Sequence, residues 1–278
     1  MSRTRVFILT TLAMLAFAGN SLLCRLALKN TGIDAASFTS IRLIAGAITL
    51  YLFVYLRNGK TVTGGNWLSA FALFAYAAGF SFAYLHLSAA TGALLLFTAV
   101  QTSMIGYSVF KGERLHALQI LGLVIAFSGL IALLLPGLAS PPGFSSLLMV
   151  CAGIAWGIYS LRGKTAQDAT AVTAGNFLRA IPFALALSMA MFADRSFDNT
   201  GIMYAILSGA LASGIGYAIW YSALPALKAG TAASVQLTVP AIAAGGGILL
   251  LDEPASLRLV LASVAILGGI ALVIFRKK

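Results

Sequence analysis

Two arginines, Arg42 and Arg179, stand inside long apolar runs of this 278-residue sequence. A guanidinium presents a rigid fork of donors that matches a carboxylate, so either can hold an anionic group. Each can equally be a structural charge that snorkels to a lipid phosphate or a backbone carbonyl. Other polar and aromatic residues lie in the same runs at helical spacing. Asn20 and Cys24 are four apart, Thr98 and Gln101 three apart, and Gln236 and Pro240 four apart, so each pair shares a helix face. Tyr76, Phe80 and Tyr84 form a stripe, Trp156 and Tyr159 lie on one side with Ser160, and Tyr217 lies with Trp220 and Tyr221. Aromatic walls with a few amides and hydroxyls suit a ligand with an apolar body and a polar head. The alternatives are core packing and, as expected of Tyr51 and Trp67, anchoring at a membrane interface. Gln101 and Gln236 can instead bond helix to helix. Pro240 lacks an N–H, and Gly245, Gly246 and Gly247 follow it, so that run can hold a gate or only a bend.

Other chemistries lack their residues. Cys24 and Cys151 read as packing residues, without metal-ligand spacing or a disulfide framework. There is no phosphate-binding glycine loop, and no His/Asp/Glu/Ser set at one depth that would make a membrane-embedded enzyme. No metal or cofactor is expected. All seven acidic residues fall in connections or at the ends of runs.

The elements that hold these residues are membrane helices. The chain is 60% hydrophobic and 9% charged, with a net charge of +11. A soluble domain carries about 25% charged residues. The basic residues are scattered singly between apolar runs, which fits a lipid bilayer rather than nucleic acid. A span needs about 20 apolar residues, and ten are expected, at 6–28, 35–56, 67–87, 92–110, 115–136, 144–161, 171–192, 202–223, 229–251 and 257–275. The runs are continuous rather than alternating, which excludes a β-barrel. With the N-terminus in the cytoplasm, twelve Lys and Arg fall inside and three outside, while Arg25, Arg42 and Arg179 lie in spans. That bias places both termini in the cytoplasm.

The chain also repeats itself. At an offset of 140, Ala89, Thr91, Ala93, Thr98, Gly106, Glu113, Leu121, Val124 and Gly129 meet identical residues at 229–269. At an offset of 137, Arg42 meets Arg179, Tyr84 meets Tyr221 and Phe80 meets Tyr217. Residues 1–139 and 140–278 are therefore read as two units of five spans each. An odd number of spans turns the second unit upside down, an arrangement that gives transporters two nearly equivalent states. A receptor or scaffold has no need of it.

Two five-span units, each ending in a Glu-containing turn ("GERL" at 112–115, "DEP" at 252–254), resemble the EamA-type branch of the drug/metabolite transporter superfamily. The Tyr217-x-x-x-Tyr221 pattern and Pro240, thirteen residues before Glu253, fit the same family; Val100 departs from it at the equivalent position of the first half. The sequence is similar to bacterial inner-membrane exporters of aromatic and other amino acids. The resemblance implies a central cavity enclosed by the first four helices of each half, with the fifth and tenth outside or at a dimer face, so that monomer and homodimer both stay open. It implies export of an amino acid, with drugs or other small metabolites as the alternative cargo. Four-span members of the superfamily couple protons through a buried carboxylate. None is expected here, so movement down the substrate gradient is expected, with His86 as the fallback coupling group and His116 as an edge residue.

Overall fold

The computed structural model describes residues 1–59, 64–112, 114–135, 140–163, 166–227 and 229–275, and is all helical over them. Ten segments are long and apolar enough to cross a membrane. The first seven are α1 (Arg3–Asn30), α2 (Ala35–Asn58), α3 (Trp67–Tyr84), α4 (Ala89–Phe110), α5 (Ala117–Leu134), α6 (Gly143–Gly163) and α7 (Ala169–Ala190). The eighth is composite: α8 (Asn199–Leu207), a π-helical stretch over Ser208–Ile215, and α9 (Gly216–Ala223). The ninth is broken at Leu237 into α10 (Ala229–Gln236) and α11 (Thr238–Leu251), and α12 (Leu257–Phe275) is the tenth. Each expected run thus coincides with a span, with ends that differ by a few residues. Ten alternating crossings bring α12 back to the face where α1 begins. That face is called the termini face below, and the other the opposite face.

The acids in the connections have structural work. Asp34, Asp168 and Asp198 cap α2, α7 and α8, each accepting the N–H of the residue three positions on. A carboxylate there satisfies an orphan donor and meets the positive end of the helix dipole. Asp34 also accepts the Ser196 N–H at 3.0 Å, joining the two halves on the opposite face.

Helix pairs are held by small residues, as expected where lipid tails are as apolar as the side chains. α5 and α12 lie against one another, beside the rest of the bundle, with Gly122 and Gly269 packed backbone to backbone. Gln119 fastens the pair, donating to the Val273 carbonyl at 3.1 Å. On the eighth span, Gly209 packs directly onto the Arg42 carbonyl and Gly214 onto Thr49, so α2 and the π-helical stretch lie at the closest distance backbones allow.

Candidate functional site

The stripe on α3 faces the interior. Tyr76, Phe80 and Tyr84 are all buried, with ring centroids 5.4 Å and 4.7 Å apart in sequence. Trp156 on α6 lies 4.5 Å from Tyr76 and 5.3 Å from Tyr217, bridging the two halves. Tyr159 is 5.7 Å from Trp156. Tyr217 in turn meets Tyr221, Phe17 and Phe177 within 6.0 Å, and Phe17 meets Trp220. A continuous aromatic belt therefore runs through the bundle, built from α1, α3, α6, α7 and α9.

Arg42 enters this belt from α2 and is only 2% exposed. Its guanidinium lies 5.2 Å from the Tyr76 ring centroid and 4.9 Å from that of Phe80. Nη2 donates to the Tyr76 hydroxyl at 3.0 Å. Nε and Nη1 are buried without a hydrogen-bond partner. The ring faces offset part of the cost of burying the charge, about 2 kcal/mol at best. A buried cation still lacks several kcal/mol of lost hydration unless an anion joins it. The Tyr76 hydroxyl also accepts from Asn20 Nδ2 at 3.2 Å, and Asn20 Oδ1 accepts from Ser208 Oγ at 2.6 Å. With both lone pairs of Tyr76 engaged, its own proton is free to be donated. The unpartnered Nε and Nη1, on opposite edges of the guanidinium, and the Tyr76 hydroxyl are thus a set of donors that an anion would suit, beside aromatic faces.

The repeat mate of Arg42 behaves differently. Arg179 donates to the carbonyls of Gly64 (2.7 Å) and Gly175 (3.0 Å), which ties α7 to the connection entering α3 at the termini face. Of the two candidate carboxylate partners, one is thus committed to backbone and one is not. Tyr159 is fixed by Thr173 at 3.1 Å and by Asn176 at 3.5 Å. Thr98 turns back onto its own helix, bonding the Leu94 carbonyl. Gln101 is buried in α4, and Gln236 is half-buried at the end of α10. Pro240, lacking an N–H, leaves the Gln236 carbonyl without its usual partner, and the break in the ninth span falls between them.

Among the described residues no acid lies within a span, as expected, but one in a connection, Glu253, is buried. It lies in the connection between α11 and α12, as its sequence position implies, yet it is 7% exposed. Its Oε1 pairs with Arg25 Nε at 3.1 Å and its Oε2 accepts the Ala89 N–H at 2.8 Å. Position in a connection does not settle exposure when three elements close over it. His86 and His116 are exposed at opposite ends of the bundle. Sequence reasoning also passed over Phe17, Phe177, Asn176 and Ser208. One signal was there for Arg25: at the offset of 137 it meets Arg162, the same relation that joins Arg42 to Arg179.

The chain matches the EamA-like transporter family twice, over residues 4–135 and 143–275. It belongs to that family, and so to the ten-helix transporters of the drug/metabolite superfamily. It is 55% identical over 271 residues to an uncharacterized protein of Pseudomonas aeruginosa, covering 97% of this chain and 94% of that one. It is 26% identical to an uncharacterized transporter of Archaeoglobus fulgidus, covering 76% of each chain. It is also 21% identical to the uncharacterized transporter YoaV of Bacillus subtilis, covering 84% of this chain and 85% of that one. A solved crystal structure superposes with a TM-score of 0.68 over 98% of both chains at 17% identity, a likeness of fold alone.

Proposed function

We propose that this transporter exports amphipathic carboxylates, amino acids with aromatic and other side chains foremost, across the inner membrane by alternating access, with both termini in the cytoplasm. The observation that carries the reading is the buried Arg42 with two unpartnered donors. A substrate carboxylate laid against Nη1, next to the Nη2 that holds Tyr76, would complete the charge pair and accept the Tyr76 proton. Its side chain would then lie on the belt of Phe80, Trp156 and Tyr217. Charge-assisted pairing of this kind is strongest out of water, so the carboxylate supplies affinity while the aromatic faces tolerate varied apolar groups. That division suits a broad range of amino acids.

A phosphorylated cargo fits less well. It would call for several cations at one depth, and Arg179 is engaged with backbone carbonyls. A neutral or cationic drug would leave Arg42 uncompensated. The direction of transport comes from the family resemblance, and the orientation from the Lys and Arg bias. Reporter fusions after Lys278 read the orientation.

The direct test is efflux from loaded cells and from proteoliposomes for a panel of amino acids. Aromatic and large apolar amino acids are expected to leave faster than from protein-free controls. A panel in which none moves while an organic cation does would reject the reading.

A further inference from the structure

Two cations on α1 hold the far end of α11. Arg25 pairs with Glu253, and Lys29, one turn later on the same face, donates to the Leu251 carbonyl at 2.7 Å. The last carbonyls of a helix carry its negative end, so both contacts are favourable. Arg25 Nη1 also donates to the carbonyls of Tyr84 (2.8 Å) and Leu85 (3.0 Å), at the end of α3. The other oxygen of Glu253 accepts the first N–H of α4. One ion pair thus fastens four elements from both halves at the opposite face.

Its place relative to the anion set is fixed by the helices. Asn20 lies five residues before Arg25 on α1, about 7.5 Å along the axis. Tyr76 lies eight residues before Tyr84 on α3, about 12 Å along. The fastening therefore covers Arg42 and Tyr76 on the side of the opposite face. α11 is set off from α10 by a one-residue turn at Leu237, three residues before Pro240, and a crevice of about 270 Å³ runs between α4, α11 and α12 with Glu253 at its edge. That crevice leaves room for α11 to tilt about the turn at Leu237.

We propose that Arg25, Lys29 and Glu253 form a latch that closes the opposite face over the solute site, and that release of Glu253 lets α11 swing and opens it. The three are gating residues: they act on access and do not touch the solute. The proposal stands on the latch geometry and is independent of which solute is carried.

Cys24 is a native reporter. It is fully buried and lies one residue from Arg25. In a Cys151→Ser background, a membrane-impermeant maleimide is applied to each face separately, without substrate, in right-side-out and inside-out vesicles. Glu253→Gln is expected to raise Cys24 labelling from the opposite face about ten-fold, as a shift of one order in the open population requires. Lys29→Gln should give a smaller rise. A second variant keeps the charge: a Cβ at Gly247 would fall 2.7 Å from Glu253 Oε2, so Gly247→Ala must push the carboxylate aside and should also raise labelling. Should Glu253→Gln fail to fold, Gly247→Ala decides. Unchanged labelling in folded variants, or a rise from the termini face alone, would overturn the latch. Loss of efflux with normal gating would instead count against the substrate reading and leave the latch standing.

Discussion

Arg42→Met is expected to lower transport of amino acids about a hundred-fold while leaving a folded protein at least as stable as the original. Breaking a buried hydrogen-bonded charge pair costs roughly 2–5 kcal/mol, and 2.7 kcal/mol is already about a hundred-fold. The stability half of the prediction follows from the orphan donors. In the substrate-free protein Arg42 makes one hydrogen bond and two cation–π contacts, against the lost hydration of a buried guanidinium. Methionine, shorter but flexible and apolar, removes that cost and fills most of the space. A charge serving only the fold would give the reverse pattern, a lower melting temperature with transport per folded molecule unchanged. Arg42→Lys should not restore transport, because an ammonium is a single point charge and cannot offer a fork to a carboxylate. Efflux per folded molecule and the thermal midpoint in detergent, measured on the same preparations, read both halves.

The second large effect is expected at Trp156. Its ring joins Tyr76 of the first half to Tyr217 of the second. Trp156→Ala removes both contacts, each worth about 1 kcal/mol beyond packing, together with a face for the substrate side chain. Transport of phenylalanine is expected to fall at least about ten-fold. Truncating a fully buried tryptophan costs about 3–5 kcal/mol; Trp156 is only partly buried, so a smaller loss and a folded protein are expected. Trp156→Phe should keep most of the activity. The sign of a binding role is selectivity: aromatic cargo should suffer more than a small aliphatic amino acid. An equal loss for both would assign Trp156 to packing alone.

The sequence made the spans legible because lipid demands long continuous apolar runs, and nothing shorter or alternating satisfies it. The aromatic belt was legible as well, since stripes four residues apart must share a face. What pattern could not do was separate Arg42 from Arg179. They are equivalent in the repeat, and only the neighbouring backbone decides: the Gly64 carbonyl comes within reach of one, while Gly209 packs behind the other. The burial of Glu253 was illegible for a similar reason. Its burial depends on α1, α3 and α4 meeting over it, a tertiary fact with no local signature. The π-helical turn that carries Ser208 to Asn20 was equally silent, because a bond to the fifth residue rather than the fourth leaves the apolar pattern almost unchanged.

The central claim is that a carboxylate completes Arg42. Equilibrium binding to the purified protein of phenylalanine, and of the same molecule without its carboxyl group, phenethylamine, tests it most directly. Both carry the ring and the amine, so the belt treats them alike and only the carboxylate differs. Phenylalanine is expected to bind at least about ten-fold more tightly, with that preference lost in Arg42→Met. Equal binding of the two, or a preference that survives Arg42→Met, would contradict the account.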